Sequence, residues 1–153
     1  YPEQRSLGLE FQYTGDATLL KWESLHGNQD GQNFSATVGG LEHTRYGIFD
    51  KVWDLGLIAE AQYDDRPQAA ADQFYVAGLR LTLNDTNDTN LLLLMSQDEA
   101  GDQSLISFEA SRRLNSWSSL DIGAKFFDSK NPNKIFESLD DDDLISIKLN
   151  MFF

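Results

Sequence analysis

Ten ionisable side chains sit in short stretches where every second residue is polar, not in one compact motif: Glu10, Lys21, Glu23, Asp54, Glu60, Arg80, Glu109, Asp121, Lys125 and Lys148. Gathered on one surface, such a mixture of acids and bases does one of two things. It lines a water-filled passage and selects solutes or ions by charge, or it neutralises itself in salt bridges and fills the space. A second acidic feature is the run Asp140, Asp141, Asp142 and Asp143, with Asp64-Asp65 as a smaller counterpart. Hard oxygens at that density suit calcium or magnesium, but the spacing follows no EF-hand, and the plain reading is a solvated loop.

Only His26 and His43 are available as catalytic imidazoles, and no serine occupies a Gly-x-Ser-x-Gly elbow. His26 falls in a stretch read as a loop, where Asp30 and Asp64-Asp65 approach it; the plain reading is a loop residue. No catalytic residue is assigned, the chain is read as a non-enzyme, and no cofactor is expected beyond a surface Ca2+ or Mg2+ ion. With 12 basic against 25 acidic residues, the formal charge of -13 opposes nucleic-acid binding, which needs clustered Lys and Arg. Cysteine is absent, so neither disulfides nor thiolate metal sites arise.

The elements that position these charges have a period of two. In 144–153, Ile145, Ile147, Leu149, Met151 and Phe153 share one face, while Ser146, Lys148, Asn150 and Phe152 share the other. Leu120, Ile122, Ala124 and Phe126 alternate with Ser119, Asp121, Gly123 and Lys125. Trp53, Leu55, Leu57, Ala59, Ala61 and Tyr63 alternate with Asp54, Gly56, Ile58, Glu60 and Gln62; Leu7, Leu9, Phe11 and Tyr13 alternate with Gly8, Glu10 and Gln12. Leu20-Trp22, Tyr75–Leu83 and Ile106–Ala110 follow the same scheme. Leu91–Met95 is unbroken apolar, so its facing stays open. Phe34–Tyr46 changes phase near Gly39-Gly40, where a bulge is expected.

No stretch of eighteen apolar residues exists, which excludes a transmembrane helix, but alternation hides a membrane barrel from that test. One face carries charge on nearly every strand and the other almost none, as lipid outside and water or polar side chains inside require. The fold predicted is an all-β antiparallel transmembrane barrel over 1–153, with about nine strands. The soluble alternatives, a sandwich or a lipocalin-like barrel, would bury the apolar face in their own core. Expected links at the outer end are 26–33, 64–73, 98–103 and 129–142; at the periplasmic end, 14–16, 46–52, 84–89 and 114–117. The first set is the longer on the whole, and Thr14-Gly15-Asp16, 84–89 and Asn115-Ser116 are turn formers.

The last strand resembles the C-terminal signature of Gram-negative outer-membrane proteins, a final Phe153 with apolar residues at alternate positions behind it. That resemblance implies that Ile147, Leu149, Met151 and Phe153 are the signal read by the barrel-assembly machinery. The span from Tyr63-Asp-Asp-Arg66 through Leu81-Thr-Leu-Asn-Asp85, then Glu109–Leu114, is similar to uncharacterised porin-like proteins, a likeness over the last two-thirds of the chain that carries no established activity. The partners implied are outer-membrane lipid and lipopolysaccharide, whose bridging divalent ions the acidic links would share. Nine strands conflict with the even number of single-chain bacterial barrels. Either the chain is the C-terminal portion of a larger barrel, its missing strands elsewhere, or one strand is split or merged. The expected role is a porin-like channel for small solutes. The alternative is a non-conducting structural or accessory barrel that binds a partner protein.

Overall fold

The structure, a computed structural model, describes residues 4–66, 69, 72–130 and 142–152. It is an antiparallel meander of nine strands in chain order with no helix among the described residues. The strands are β1 (Gln4–Thr14), β2 (Thr18–Gln29), β3 (Gln32–Ile48), β4 (Trp53–Asp64), β5 (Gln73–Thr82), β6 (Asn90–Asp98), β7 (Gln103–Asn115), β8 (Ser118–Ser129) and β9 (Leu144–Met151). Each pairs with its neighbours in sequence, and β1 and β9 form the two edges. The sheet is open; the expected closure into a barrel is not part of it.

Directly opposed residues in a ladder share a face, so the registers sort every side chain. One row runs Tyr13, Leu20, Leu41, Ala59, Ala77, Met95, Ile106 and Phe126. The next runs Leu57, Leu79, Leu93, Phe108, Ala124 and Ile145. These rows build a continuous apolar face that no other element covers among the described residues: Ile147 is 73% exposed, Ile145 70% and Leu7 69%. The opposite face carries the alternating polar and charged residues. Among the described residues, the only buried large hydrophobic side chain is Phe34. The sandwich-type core of a soluble fold is therefore absent from this sheet.

Turn chemistry fixes the hairpins. Asp30 and Gly31 take φ of 52° and 85°, as a two-residue primed turn requires, and the Asn28 side chain accepts a hydrogen bond from the Gly31 amide at 2.9 Å. Consequently β2 and β3 run to Gln29 and Gln32, and the link expected at 26–33 shrinks to 30–31. His26 thus lies inside β2, not in a loop. The bulge expected at Gly39-Gly40 is also corrected. The register runs unbroken from Gln32 to Arg45 and is irregular only between Arg45 and Ile48. The apparent phase change arises because Phe34, Ala36 and Val38 are apolar residues on the polar face. Phe34 is 6% exposed and fills the space over Gly27, where an added Cβ would meet its ring atoms at 2.8 Å. In β6 the register settles the open assignment: Leu91, Leu93 and Met95 are on the apolar face, Leu92 and Leu94 on the polar one.

Candidate functional site

All ten predicted charged residues share the polar face by register. The sheet gathers seven of them at two depressions. One, of about 610 Å3, is lined by Arg80, Glu109, Asp121, Lys125 and Lys148. The other, of about 690 Å3, is lined by Glu10, Glu23, Gln62 and Asp64. Most lining residues of both belong to the polar face, so the sheet is hollowed on that side. Lys21, Asp54 and Glu60 share the face without lining either depression.

The electrostatics differ between the two. Glu10 stands directly opposite Glu23, a like-charge cross-strand pair whose repulsion disfavours pairing in isolation. In the first depression Asp121 is opposite Lys148 and accepts a hydrogen bond from Asn150 Nδ2 at 2.6 Å. Arg80 donates to Glu42 Oε1, and this ion pair passes over Gly56, where an added Cβ would lie 3.3 Å from Arg80 Cβ and 3.5 Å from Glu42 Oε1. The glycine is thus what lets a β3 carboxylate reach a β5 guanidinium. Glu60 accepts a hydrogen bond from Gln62 Nε2 at 2.5 Å.

Asp54 has a different task from that expected. Its Oδ1 accepts from the Gly47 amide at 3.1 Å and its Oδ2 from Asn84 Nδ2 at 2.7 Å, while Asn84 also reaches the Val52 carbonyl at 2.6 Å. It clamps the β3–β4 turn, where Phe49 and Asp50 both have positive φ. At the same end Asp85 accepts from the Thr89 amide and hydroxyl, each at 2.8 Å, with Arg112 nearby. The hydrogen bond from the Thr89 amide, ahead of the Thr89 hydroxyl and the Arg112 charge, holds the Asp85 carboxyl below its usual 3.8. At the other end the Asp64 carboxylate receives Arg66 side-chain hydrogen bonds, which raise the guanidinium pKa. The Arg66 guanidinium also lies 5.5 Å from the Phe34 ring centroid, a cation–π distance.

Of the terminal residues, Ile147, Leu149 and Met151 lie exposed on the apolar face; Phe153 lies outside the described residues. Of the acidic run, Asp140 and Asp141 lie outside the described residues, and Asp143 Oδ1 accepts from the Phe127 amide at 3.1 Å. Among the described residues no group of three or more His, Cys, Asp or Glu is placed to hold a metal ion.

Sequence reasoning missed two constellations. Glu42 was hidden by the expected phase change; carrying the alternation through Gly39-Gly40 would have placed it on the charged face. The other is a polar trio on the apolar face: Ser24 Oγ is 2.9 Å from His26 Nε2 and 2.9 Å from Thr37 Oγ1. Comparison with models of known protein families, with characterised proteins and with solved structures finds no match for this chain.

Proposed function

We propose that this sheet is part of an outer-membrane β-barrel, and that its polar face lines a passage for small polar solutes. One observation carries the reading: nine consecutive strands turn most of their greasy residues to one uncovered face and most of their charges to a hollowed one. In water such a face would be an association hazard far larger than a soluble monomer tolerates; in lipid it is what solvation demands.

The reading requires closure, because unsatisfied edge amides are excluded from hydrocarbon. With every neighbouring pair antiparallel, β1 and β9 run in the same direction. An all-antiparallel barrel therefore takes an odd number of further strands between them, from the same polypeptide or another chain. On this proposal Ile147, Leu149, Met151 and Phe153 are the residues read during assembly, and lipid and lipopolysaccharide surround the apolar face.

A specific observation favours the second reading, a sealed accessory barrel that binds a partner protein. The Arg80–Glu42 ion pair bridges β3 to β5 on the polar face, and Leu92 and Leu94 also point onto that face. Conductance across planar bilayers separates the two. Discrete steps from the purified protein support the passage; a reconstituted protein that gives none eliminates it.

A further inference from the structure

The Ser24–His26–Thr37 trio belongs to neither the polar face nor a covered core. Ser24 and His26 are two apart on β2, so they point the same way, and Thr37 is the direct cross-strand partner of Ser24. The rows show where this lies. Below it run Phe11, Trp22, Gly39 and Ala61, then Tyr13, Leu20, Leu41 and Ala59. Above it, Asn28 stands opposite Arg5 and Asn33. The trio therefore marks the boundary where the apolar face gives way to polar residues. In the membrane reading, on which this inference rests, that boundary is the level of lipid ester groups. Ionisable groups on a lipid-facing surface are costly and mark function.

The geometry is that of a nucleophile and its base. With the imidazole proton on Nδ1, Nε2 accepts the Ser24 hydroxyl proton, and the Thr37 hydroxyl donates to the same Oγ. Ser24 is 5% exposed and His26 is exposed, so the hydroxyl lies at the foot of the imidazole that would relay its proton. Trp22, Leu9 and Leu20 provide an apolar surface along which an acyl chain can lie.

We propose that Ser24 and His26 form an acyl-ester hydrolase dyad directed at long-chain lipid esters. Ser24 Oγ bonds to the ester carbonyl carbon as His26 Nε2 takes its proton. The C–O bond to the alcohol then breaks, and His26 returns the proton to the departing alkoxide. Water, deprotonated by His26, attacks the acyl-serine; the fatty acid leaves and the proton returns to Ser24 Oγ.

The test uses the purified protein reconstituted in phosphatidylethanolamine vesicles, with two readouts: covalent labelling by a long-chain fluorophosphonate, and release of free fatty acid. Vesicle flotation and outer-membrane fractionation are measured beside them. Ser24→Ala is expected to abolish labelling and release, and His26→Ala to slow both roughly 100-fold or more, as loss of a general base does, while both variants still float with the vesicles. Absence of labelling and release in a wild-type protein that floats overturns the dyad and leaves the membrane reading intact, as does labelling undiminished in Ser24→Ala. A wild-type protein that fails to float or to fractionate with the outer membrane refutes the membrane reading, and the lipid-directed dyad with it.

Discussion

Arginine placed at three positions of β4 and β5 distinguishes hydrocarbon from water beside the apolar face. Leu79 lies near the middle of the β5 apolar stretch Tyr75–Leu81 and is 45% exposed. Were that exposed half in water, Leu79→Arg would lose only packing. Full burial of a leucine is worth about 1.5–3 kcal/mol, and the arginine stem retains part of the contact, so the loss stays near ~1 kcal/mol. In hydrocarbon the guanidinium adds about 2–4 kcal/mol at the midplane, falling to about 0–1 at the interface. Gln73, on the same face six residues earlier, sits roughly 20 Å along the strand at ~3.4 Å per residue. Gln62 is on the polar face beside Glu60. The expected order is therefore a large loss for Leu79→Arg, and losses within ~1 kcal/mol for Gln73→Arg and Gln62→Arg. Urea titration of folding into vesicles, extrapolated linearly, reads the difference as a roughly thirty-fold or greater change in the folding constant at 1.4 kcal/mol per decade. Equal losses at all three positions would refute lipid solvation of this face.

Three further outcomes are expected. Gly27→Ala places a Cβ 2.5 Å from the Arg5 carbonyl oxygen and 2.8 Å from the Phe34 ring, so it should cost about 1–3 kcal/mol in the same titration. Phe34→Ala should not restore it, because the backbone clash remains. Asn84→Ala removes the hydrogen bonds to Asp54 and the Val52 carbonyl and should cost ~1 kcal/mol, with amide exchange accelerated around 47–52 and unchanged around 30–31. The depressed Asp85 carboxyl favours the folded state above its unfolded value of 3.8, and that contribution is lost as pH falls through the lower folded value. The protection factor of the Thr89 amide, taken against its intrinsic exchange rate at each pH, should fall on acidification in the wild type; in Asp85→Asn it should be lower at neutral pH and lack that step.

Alternation made the strands legible, since Trp53–Tyr63 and Leu120–Phe126 announce both faces without reference to any neighbour. It failed where one residue type served two purposes. Gly27, Asn28 and Gln29 read as a loop because they are polar, yet they continue β2 beyond the apolar band, and Asp30-Gly31 alone makes the turn. Phe34, Ala36 and Val38 read as a shifted apolar face because nothing local says that a phenylalanine will fill the space above a glycine on the polar side. Pairings were less legible than faces. Glu42 meets Arg80 only because two registers and Gly56 bring them together, and register belongs to strand pairs, not to one strand. The Ser24–His26 contact needs only the i, i+2 spacing of a strand, so it became visible once β2 was seen to pass through His26. Closure is a still more collective property. Side-chain alternation is satisfied strand by strand whatever the total, whereas direction alternates with each hairpin, so nine strands return their two edges parallel. The feature that makes each strand easy to recognise is therefore silent about closure, and the edge directions carry only its parity: an all-antiparallel closure of this sheet takes an odd number of further strands.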